Sequence, residues 1–404
     1  MGKLGIGAVT AAAVAVFALV PSREASAQDF GQAWIDRITH ELEQERGPLT
    51  AKPLNVTGTA GVSYQYDNNI FLAPVKTKDS IIIPFVQADL NYGEPRFDIE
   101  ASLLADYKRY IKEWHNSDDE ERFFLRGRQT SARWNFEISE IIANVSDPAG
   151  LQFLNRVKRL VSTTVPKIAF DIGHNFAIEV SGNVQVVRFQ SQPFDAAQDN
   201  NNFSVDVTGI YRSPWGWDVL ANFGYYRIAY IDPSQIDCFG YFYRAGFRGN
   251  LLERLSVEAL VGYQTIETDF FPDQHFIREG TAAGHVNLRY EISENMNLFF
   301  DAARGYVFWG NGDPFQLLDS FTAYFRYDWT ETFWIAIRGV FEHAHTALDV
   351  SRKYYGGSIN ANYKFSRNFA ANIGATFRAG DTDNMGGKVK FTDVIFGGGL
   401  AITF

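Results

Sequence analysis

Few residues in this 404-residue chain offer obvious chemistry. His343 and His345 stand two apart with Asp349 beyond them, and they form the best local cluster among the seven histidines. Two imidazoles on one side of an extended strand could share a metal ion or act as the acid–base groups of a hydrolase. No third His or Cys ligand follows, so solvated rim histidines are the plainer reading. The run Asp381-Thr382-Asp383-Asn384-Met385-Gly386 has the composition of a calcium loop. Lys388 and Lys390 stand where a closing acid would be needed, which favours a flexible acidic loop. There is no GxxxxGK[ST] phosphate loop and no dinucleotide fingerprint before a helix. Cys238 is the single cysteine, so neither an intrachain disulfide nor a thiolate metal cluster can form. No catalytic residue, metal or cofactor is assigned, and the chain is not expected to be an enzyme.

A larger set of charges repeats at strand spacing. Glu179, Asp206, Arg212, Arg244, Arg248, Glu258, Arg289, Arg326, Asp328, Arg338, Glu342 and Arg378 each share a period-two face with other polar residues, among them Asp98, Glu100, Asp106, Asn183, Gln185, His285, Asn360, Asn362 and Asn372. The opposite face is apolar: Phe176, Ile178, Val180, Val184 and Val186 in one stretch, and Phe333, Ile335, Ile337 and Phe341 in another. Acid and base are mixed on the polar face. Opposed rows would set a field or a selectivity ring across a lumen; neighbours satisfying one another would not. The spacing leaves both open.

The elements that must carry these faces are strands. The C-terminal stretch Phe391 to Phe404 alternates cleanly, with Val394, Phe396, Gly398, Leu400, Ile402 and Phe404 on one side. Comparable alternation runs from Leu54 onward through 18 candidate strands of roughly 10–15 residues, each able to cross a bilayer when tilted. The stretches 122–135 and 296–309 alternate poorly, which predicts a bulge or a register error there. Connections alternate in length. Long polar ones (67–79, 111–121, 147–157, 190–201, 231–238, 268–278, 310–318, 346–351 and 381–390) follow odd-numbered strands. Tight turns such as Gly93-Glu94-Pro95, Gly173-His174-Asn175 and Ser293-Glu294-Asn295 follow even-numbered ones. That alternation matches long extracellular loops and short periplasmic turns. The expected fold is all-β: a transmembrane antiparallel up-and-down barrel of about 18 strands (16–18), with both termini periplasmic. Trp217, Trp309, Trp329, Trp334 and Tyr363 near strand ends suit interfacial girdles.

Ahead of the strands, residues 1–27 read as a signal peptide. Lys3 precedes an apolar run from Leu4 to Val20, and Ala25-Ser26-Ala27 offers a cleavage site. Residues 28–50 read as an amphipathic helical lead-in, with Phe30, Trp34, Ile38 and Leu42 on one face and Gly47-Pro48 ending it. It could plug a lumen, bind a periplasmic partner or lie at the rim. Residues 51–404 form the barrel. Removing Lys3, Arg23 and Glu24 from the chain's 37 basic and 47 acidic residues leaves 35 and 46, a net charge of −11. Nucleic acid is therefore not an expected partner, since phosphate neutralisation requires a basic surface. A mean hydropathy of −0.18 does not argue against membrane insertion, because alternation averages the apolar face away.

The first strand and its exit, Ser63-Tyr64-Gln65-Tyr66-Asp67-Asn68-Asn69-Ile70-Phe71, resemble the start of the outer-membrane barrels called β-barrel porin 2, in which a Tyr-x-Asp-Asn-x-Phe-like exit leads into successive hairpins. That resemblance implies a Gram-negative outer-membrane barrel associated with exopolysaccharide synthesis and secretion. The reading is thus a porin-like transport channel for polar solutes, linked to exopolysaccharide export or saccharide passage. Tyr226, Tyr230, Phe242 and Tyr324 fall on the interior side as sliding surfaces for sugar rings or as lumen filling. Expected partners are outer-membrane lipid, a polar or saccharide solute and polysaccharide export machinery; porins often form trimers, and no motif decides for or against a homotrimer. The alternatives are a non-conducting structural or assembly barrel and, more weakly, an outer-membrane hydrolase.

Overall fold

In a computed structural model, residues 54–72, 74–146, 158–190, 199–232, 235–268, 277–308, 315–346, 350–384 and 387–404 are described. The expected signal peptide and helical lead-in, with Trp309 and Asp349, lie outside the described residues. Eighteen strands follow one another: β1 (Leu54–Asp67), β2 (Asp79–Glu94), β3 (Phe97–Tyr110), β4 (Asp118–Thr130), β5 (Trp134–Val145), β6 (Arg159–Asp171), β7 (Phe176–Phe189), β8 (Asn200–Arg212), β9 (Trp217–Tyr230), β10 (Cys238–Leu252), β11 (Leu255–Thr268), β12 (Ile277–Ser293), β13 (Met296–Phe308), β14 (Phe315–Thr330), β15 (Phe333–Thr346), β16 (Ser351–Ser366), β17 (Phe369–Asn384) and β18 (Gly387–Thr403). Each pairs antiparallel with its sequence neighbours, and β1 pairs with β18, so the sheet closes with no free edge. Closure is what allows strands to cross a bilayer, since it leaves no open sheet edge of unpaired backbone groups in the hydrocarbon.

Register fixes which side chains face out. From β13 to β18 a row runs Ala302, Phe321, Phe341, Tyr355, Ala379 and Thr392, pair by pair across six strands. Towards the short-turn end, the outward positions of these strands carry no charge down to Trp329, Phe333, Tyr363, Phe365, Phe369 and Phe404. Aromatics close the band at both ends: Phe341 lies 6.0 Å from Phe321 and 5.2 Å from Tyr355, and Phe365 lies 4.7 Å from Tyr363 and 5.3 Å from Phe369. From Phe333 to Phe341, a rise of about 3.3 Å per residue at a tilt of about 40° gives roughly 20 Å, close to the roughly 25 Å apolar band of outer-membrane barrels. The next row towards the long loops is Arg304, Asp319, His343, Lys353, Asp381 and Lys390, again pair by pair. Charge therefore begins within one step of the aromatic row.

Three boundary expectations are corrected. β4 starts at Asp118, four residues before the expected 122, because its acidic run is strand and not loop. The bulge expected near 296 falls at the preceding turn, where the β12–β13 register shifts between Glu291 and Ser293. The last expected loop, 381–390, is mostly hairpin: β17 and β18 stay paired from Asp381↔Lys390 to Asn384↔Gly387, which replaces a flexible acidic loop with sheet. At the short-turn end Gly216 adopts φ +82° after Ser213-Pro214-Trp215, a conformation glycine reaches without a Cβ clash.

Candidate luminal site

The polar face turns inward, and its charges meet their neighbours along the wall. Arg126 and Arg128 on β4 contact Glu100 and Asp98 on β3 at 2.5 and 2.8 Å. Lys167 on β6 reaches Glu179 on β7 at 2.7 Å. Arg212 at the end of β8 reaches Asp171 at 2.6 Å. Arg248 on β10 lies between Asp218 at 3.0 Å and Glu258 at 3.9 Å. His285 bonds Asp301 at 2.7 Å, Arg289 approaches Glu291 at 3.5 Å, and Arg326 meets Asp328 at 2.7 Å. Asp206 accepts from Ser181 Oγ at 2.6 Å and Asn222 Nδ2 at 3.1 Å. Arg244 stacks its guanidinium 4.4 Å over the Phe242 ring. Arg338 and Glu342 share the inner face of β15, four residues apart. Of the two arrangements left open by spacing, these contacts favour local neutralisation over opposed charged rows.

Sequence reasoning missed the ion cluster at the seam where the barrel closes. Arg378 on β17 bonds Asp393 on β18 through Nε at 2.7 Å and Nη2 at 2.5 Å, and its Nη2 reaches Asp67 on β1 at 3.5 Å. All three are buried. Asp67 also accepts from the Asn69 backbone N–H at 2.7 Å. The Asp67-Asn68-Asn69-Ile70 exit then folds inward. Asn68 N–H donates to Val394 O at 3.2 Å and its Oδ1 accepts from Val394 N–H at 2.9 Å; Asn69 Nδ2 donates to Thr392 O at 3.1 Å. Ile70 packs against Ile81, Ile83 and Tyr110, and Leu72 against Tyr354 and Phe391. These partners belong to the inner faces of β2, β3, β16 and β18, so the first loop lies within the mouth. Leu72 takes φ +49°, a left-handed conformation costing a non-glycine residue about 1–2 kcal/mol.

A second inward element forms at the same end. β12 and β13 pair only from Gly284↔Arg304 towards the short-turn end. Beyond that point the β13 backbone is held by Gln264 of β11. Its Nε2 donates to Tyr306 O at 3.2 Å and its Oε1 accepts from Tyr306 N–H at 3.0 Å, an amide side chain standing in for a strand. Tyr306 and Phe315 then join Tyr226, Ile228, Cys238 and Ile266 in one buried apolar cluster, with Tyr230 and Phe242 packed on it. Three of the four interior aromatics foreseen as sugar-sliding surfaces are thus filling; Tyr226 donates its hydroxyl to Thr265 O at 2.5 Å. Tyr324 is on the inner face outside this cluster.

Other candidates change place. Trp334, expected in a girdle, is buried on the inner face because it alternates with outward Phe333 and Ile335; Arg326 and Lys364 lie 5.5 and 5.7 Å over its ring. Trp217, Trp329 and Tyr363 are on the exposed outer face as expected. His343 and His345 meet edge to face, ring centroids 4.2 Å apart, at the outward, long-loop end of β15, away from the lumen. Among the described residues, no three His, Cys, Asp or Glu side chains gather where they could hold a metal. Lys108 and Glu120, buried at 2.9 Å with Ser146 Oγ on the same carboxylate, were hidden from sequence reasoning inside the acidic run.

No protein-family model matches the chain, and comparison with curated proteins returns no match. Among solved structures it is similar to the outer membrane protein opdK from Pseudomonas aeruginosa (10% identity, TM-score 0.45, covering 87% of this chain and 99% of that one). It is likewise similar to OccAB3 of Acinetobacter baumannii (10%, TM-score 0.45, 87% and 99%) and to Pseudomonas aeruginosa OccK2 in complex with glucuronate (11%, TM-score 0.44, 86% and 98%). These are likenesses of barrel architecture.

Proposed function

We propose that the chain is an outer-membrane channel for polar solutes, with saccharide passage, in association with exopolysaccharide export, as its specific role. The observation that carries this reading is the contrast between the two faces of one closed wall. The outward face of β13–β18 is charge-free between two aromatic rows, whereas the inward face carries the ion pairs and amides, the division expected between a lipid-facing surface and an aqueous lumen. An 18-strand circumference is in the range that leaves an aqueous channel. With the long loops taken as extracellular, as is general for outer-membrane barrels, we propose that both termini are periplasmic.

Single-channel conductance of the refolded protein in a planar bilayer tests it, with and without residues 28–47. Stable conductance in the full-length protein, blocked by oligosaccharides, supports the channel. Silence in the full-length protein with conductance in the truncated one makes the lead-in a plug. Silence in both refutes the channel and leaves a structural or assembly barrel, the reading that the inward-folded first loop and β13 tip would then favour.

A further inference from the structure

The outward face of the wall carries one acid where lipid would otherwise meet only apolar groups. On β5 the outward positions run Trp134, Phe136, Ile138, Glu140, Ile142 and Asn144. From Trp134 to Glu140, a rise of about 3.3 Å per residue at a tilt of about 40° gives roughly 15 Å. The first charged row towards the long loops, Glu121, Asn144, Leu160 and Arg188, lies roughly 10 Å further by the same measure. Glu140 therefore sits inside the roughly 25 Å apolar band. Among the described residues it is the only acidic or basic side chain on the outward face between the short-turn aromatics and the loop-side charges. Its partners are hydroxyls of the next strand: Ser162 Oγ donates to Oε1 at 2.7 Å, and Thr164 Oγ1 donates to Oε2. No described Lys, Arg or His pairs with it. All three side chains are partly exposed.

An acid facing hydrocarbon is costly, and it is retained where another polar surface covers it. The surroundings of Glu140 permit close approach. Gly127, Ile138 and Pro166 form the neighbouring register row, and Gly182 lies beside Pro166, where a Cβ would meet Pro166 Cγ at 3.3 Å. A Cβ on Gly127 would meet only Ile138 Cγ2, at 3.8 Å. Elsewhere in the band rings such as Phe223, Tyr243 and Phe377 project from the wall, about half exposed. Low relief of this kind is what lets proteins pack against one another in membranes. The polar groups are also self-complementary. Glu140 and Thr164 are register partners on adjacent strands. A two-fold axis along the membrane normal, passing between β5 and β6, would set β5 of one barrel against β6 of another. Each Glu140 then faces the Ser162 and Thr164 hydroxyls of the other copy at one depth. We infer that β4–β7 is the contact face of a homodimer, in which a second copy of this chain covers Glu140. A hydroxyl can donate to the carboxyl of either copy, and each carboxyl oxygen accepts more than one hydrogen bond. Two carboxyls and four hydroxyls thereby close into one network screened from lipid. The inference requires the barrel to lie in a bilayer and holds whether or not the lumen conducts.

The test uses the full-length refolded protein in phosphatidylcholine vesicles and in density-matched detergent. Cys238→Ser removes the native thiol, and Ile142→Cys places one next to Glu140 on the contact face. Ile337→Cys, exposed on the outward face of β15, is the control. A short bismaleimide in vesicles should join Ile142→Cys barrels into covalent dimers and leave Ile337→Cys barrels single. Sedimentation equilibrium in detergent should give twice the chain mass. Glu140→Leu should still fold, as read by heat-modifiable gel migration, and should weaken the dimer about tenfold or more, as loss of two interfacial polar contacts implies. Glu140→Gln keeps an acceptor for the hydroxyls and should retain most of the association. Unchanged association in Glu140→Leu would make the carboxyl a tie between β5 and β6 alone and overturn the inference. Equal cross-linking at the two cysteines or a mass of three chains would also overturn it. So would a single barrel in vesicles, which would leave lipid or a different polypeptide as the cover of Glu140. No arm reads conductance, so silence in a planar bilayer refutes the channel and leaves the dimer standing.

Discussion

Arg378 is the residue whose loss should be felt furthest from its own position. It is the cation between two buried carboxylates, Asp393 at 2.5 Å and Asp67 at 3.5 Å. Each contact at about 3 Å is worth on the order of 5 kcal/mol of Coulomb attraction at an effective dielectric of 20. Desolvation of the guanidinium offsets much of that, so truncation to Ala costs about 3–5 kcal/mol, mostly from stranding Asp67 and Asp393. The barrel ladder can absorb this; the first loop cannot. Burial of Ile70 and Leu72 holds the loop down by about 1.5–3 kcal/mol each, less the left-handed strain at Leu72. A shift of 3 kcal/mol or more raises the released population on the order of 10²–10³-fold. With Cys238→Ser removing the native thiol and Ile70→Cys placed in both backgrounds, thiol labelling in Arg378→Ala should accelerate by that order. A change below about threefold would refute the claim that Arg378 holds the first loop down. The triple variant Arg378→Met/Asp67→Asn/Asp393→Asn strands no charge and should label nearly as slowly as the parent.

Gln264→Leu leaves the Tyr306 N–H and C=O without their side-chain partner, at about 1–3 kcal/mol per group; amide exchange at Tyr306 should accelerate while exchange in β15–β18 stays unchanged. Gly246→Val places a Cβ against Ala259 O, a backbone atom that cannot swing aside, so refolding yield should drop severely, as read by heat-modifiable gel migration. Lys158 is bonded to Asp118 at 2.8 Å and Asp119 at 3.2 Å, and these partners raise its ammonium above the usual lysine value. Its contribution to tethering β6 to β4 is therefore fully present below the unfolded lysine value and lost as pH rises through the folded one; Lys158→Gln should remove that alkaline step from an unfolding titration and leave the neutral region unchanged. His343→Ala/His345→Ala should leave conductance unaltered, since both rings face outward at the rim.

The barrel was legible because its signal is one-dimensional. Alternation of apolar and polar residues, and of long and short connections, survives errors of several residues at any one strand end. Where the reading slipped, the deciding partner was far away in sequence. Asp118-Asp119-Glu120-Glu121 looks like loop until Lys108, on the preceding strand, is seen to bury Glu120. Trp334 looks like a girdle residue until parity with Phe333 turns it inward, where Arg326 and Lys364 cover it. The Asp67-Asn68-Asn69-Ile70 exit stands out in sequence as a motif. Its work, pairing with β18 and closing on Arg378, required knowing that the first and last strands are neighbours.

The same logic explains why the luminal charges were readable as a set and misleading as a site. Period two assigns Arg and Asp to the inner face but not to each other, and register decides whether neighbours neutralise them. Once most are neutralised, what distinguishes one sector of the lumen is no longer charge. It is the unpaired amides of β16, β17 and β1, which in sequence are ordinary Asn and Gln in polar positions. Asn372 and Gln65 lack a side-chain neighbour on the closing strand because their register partners there are Gly399 and Gly397. The strand that closes the barrel is thus also the one that leaves these two amides without a side-chain neighbour, and a Cβ at Gly399 would press on Asn372 Oδ1 at 3.0 Å and on the Val62 backbone oxygen at 3.1 Å.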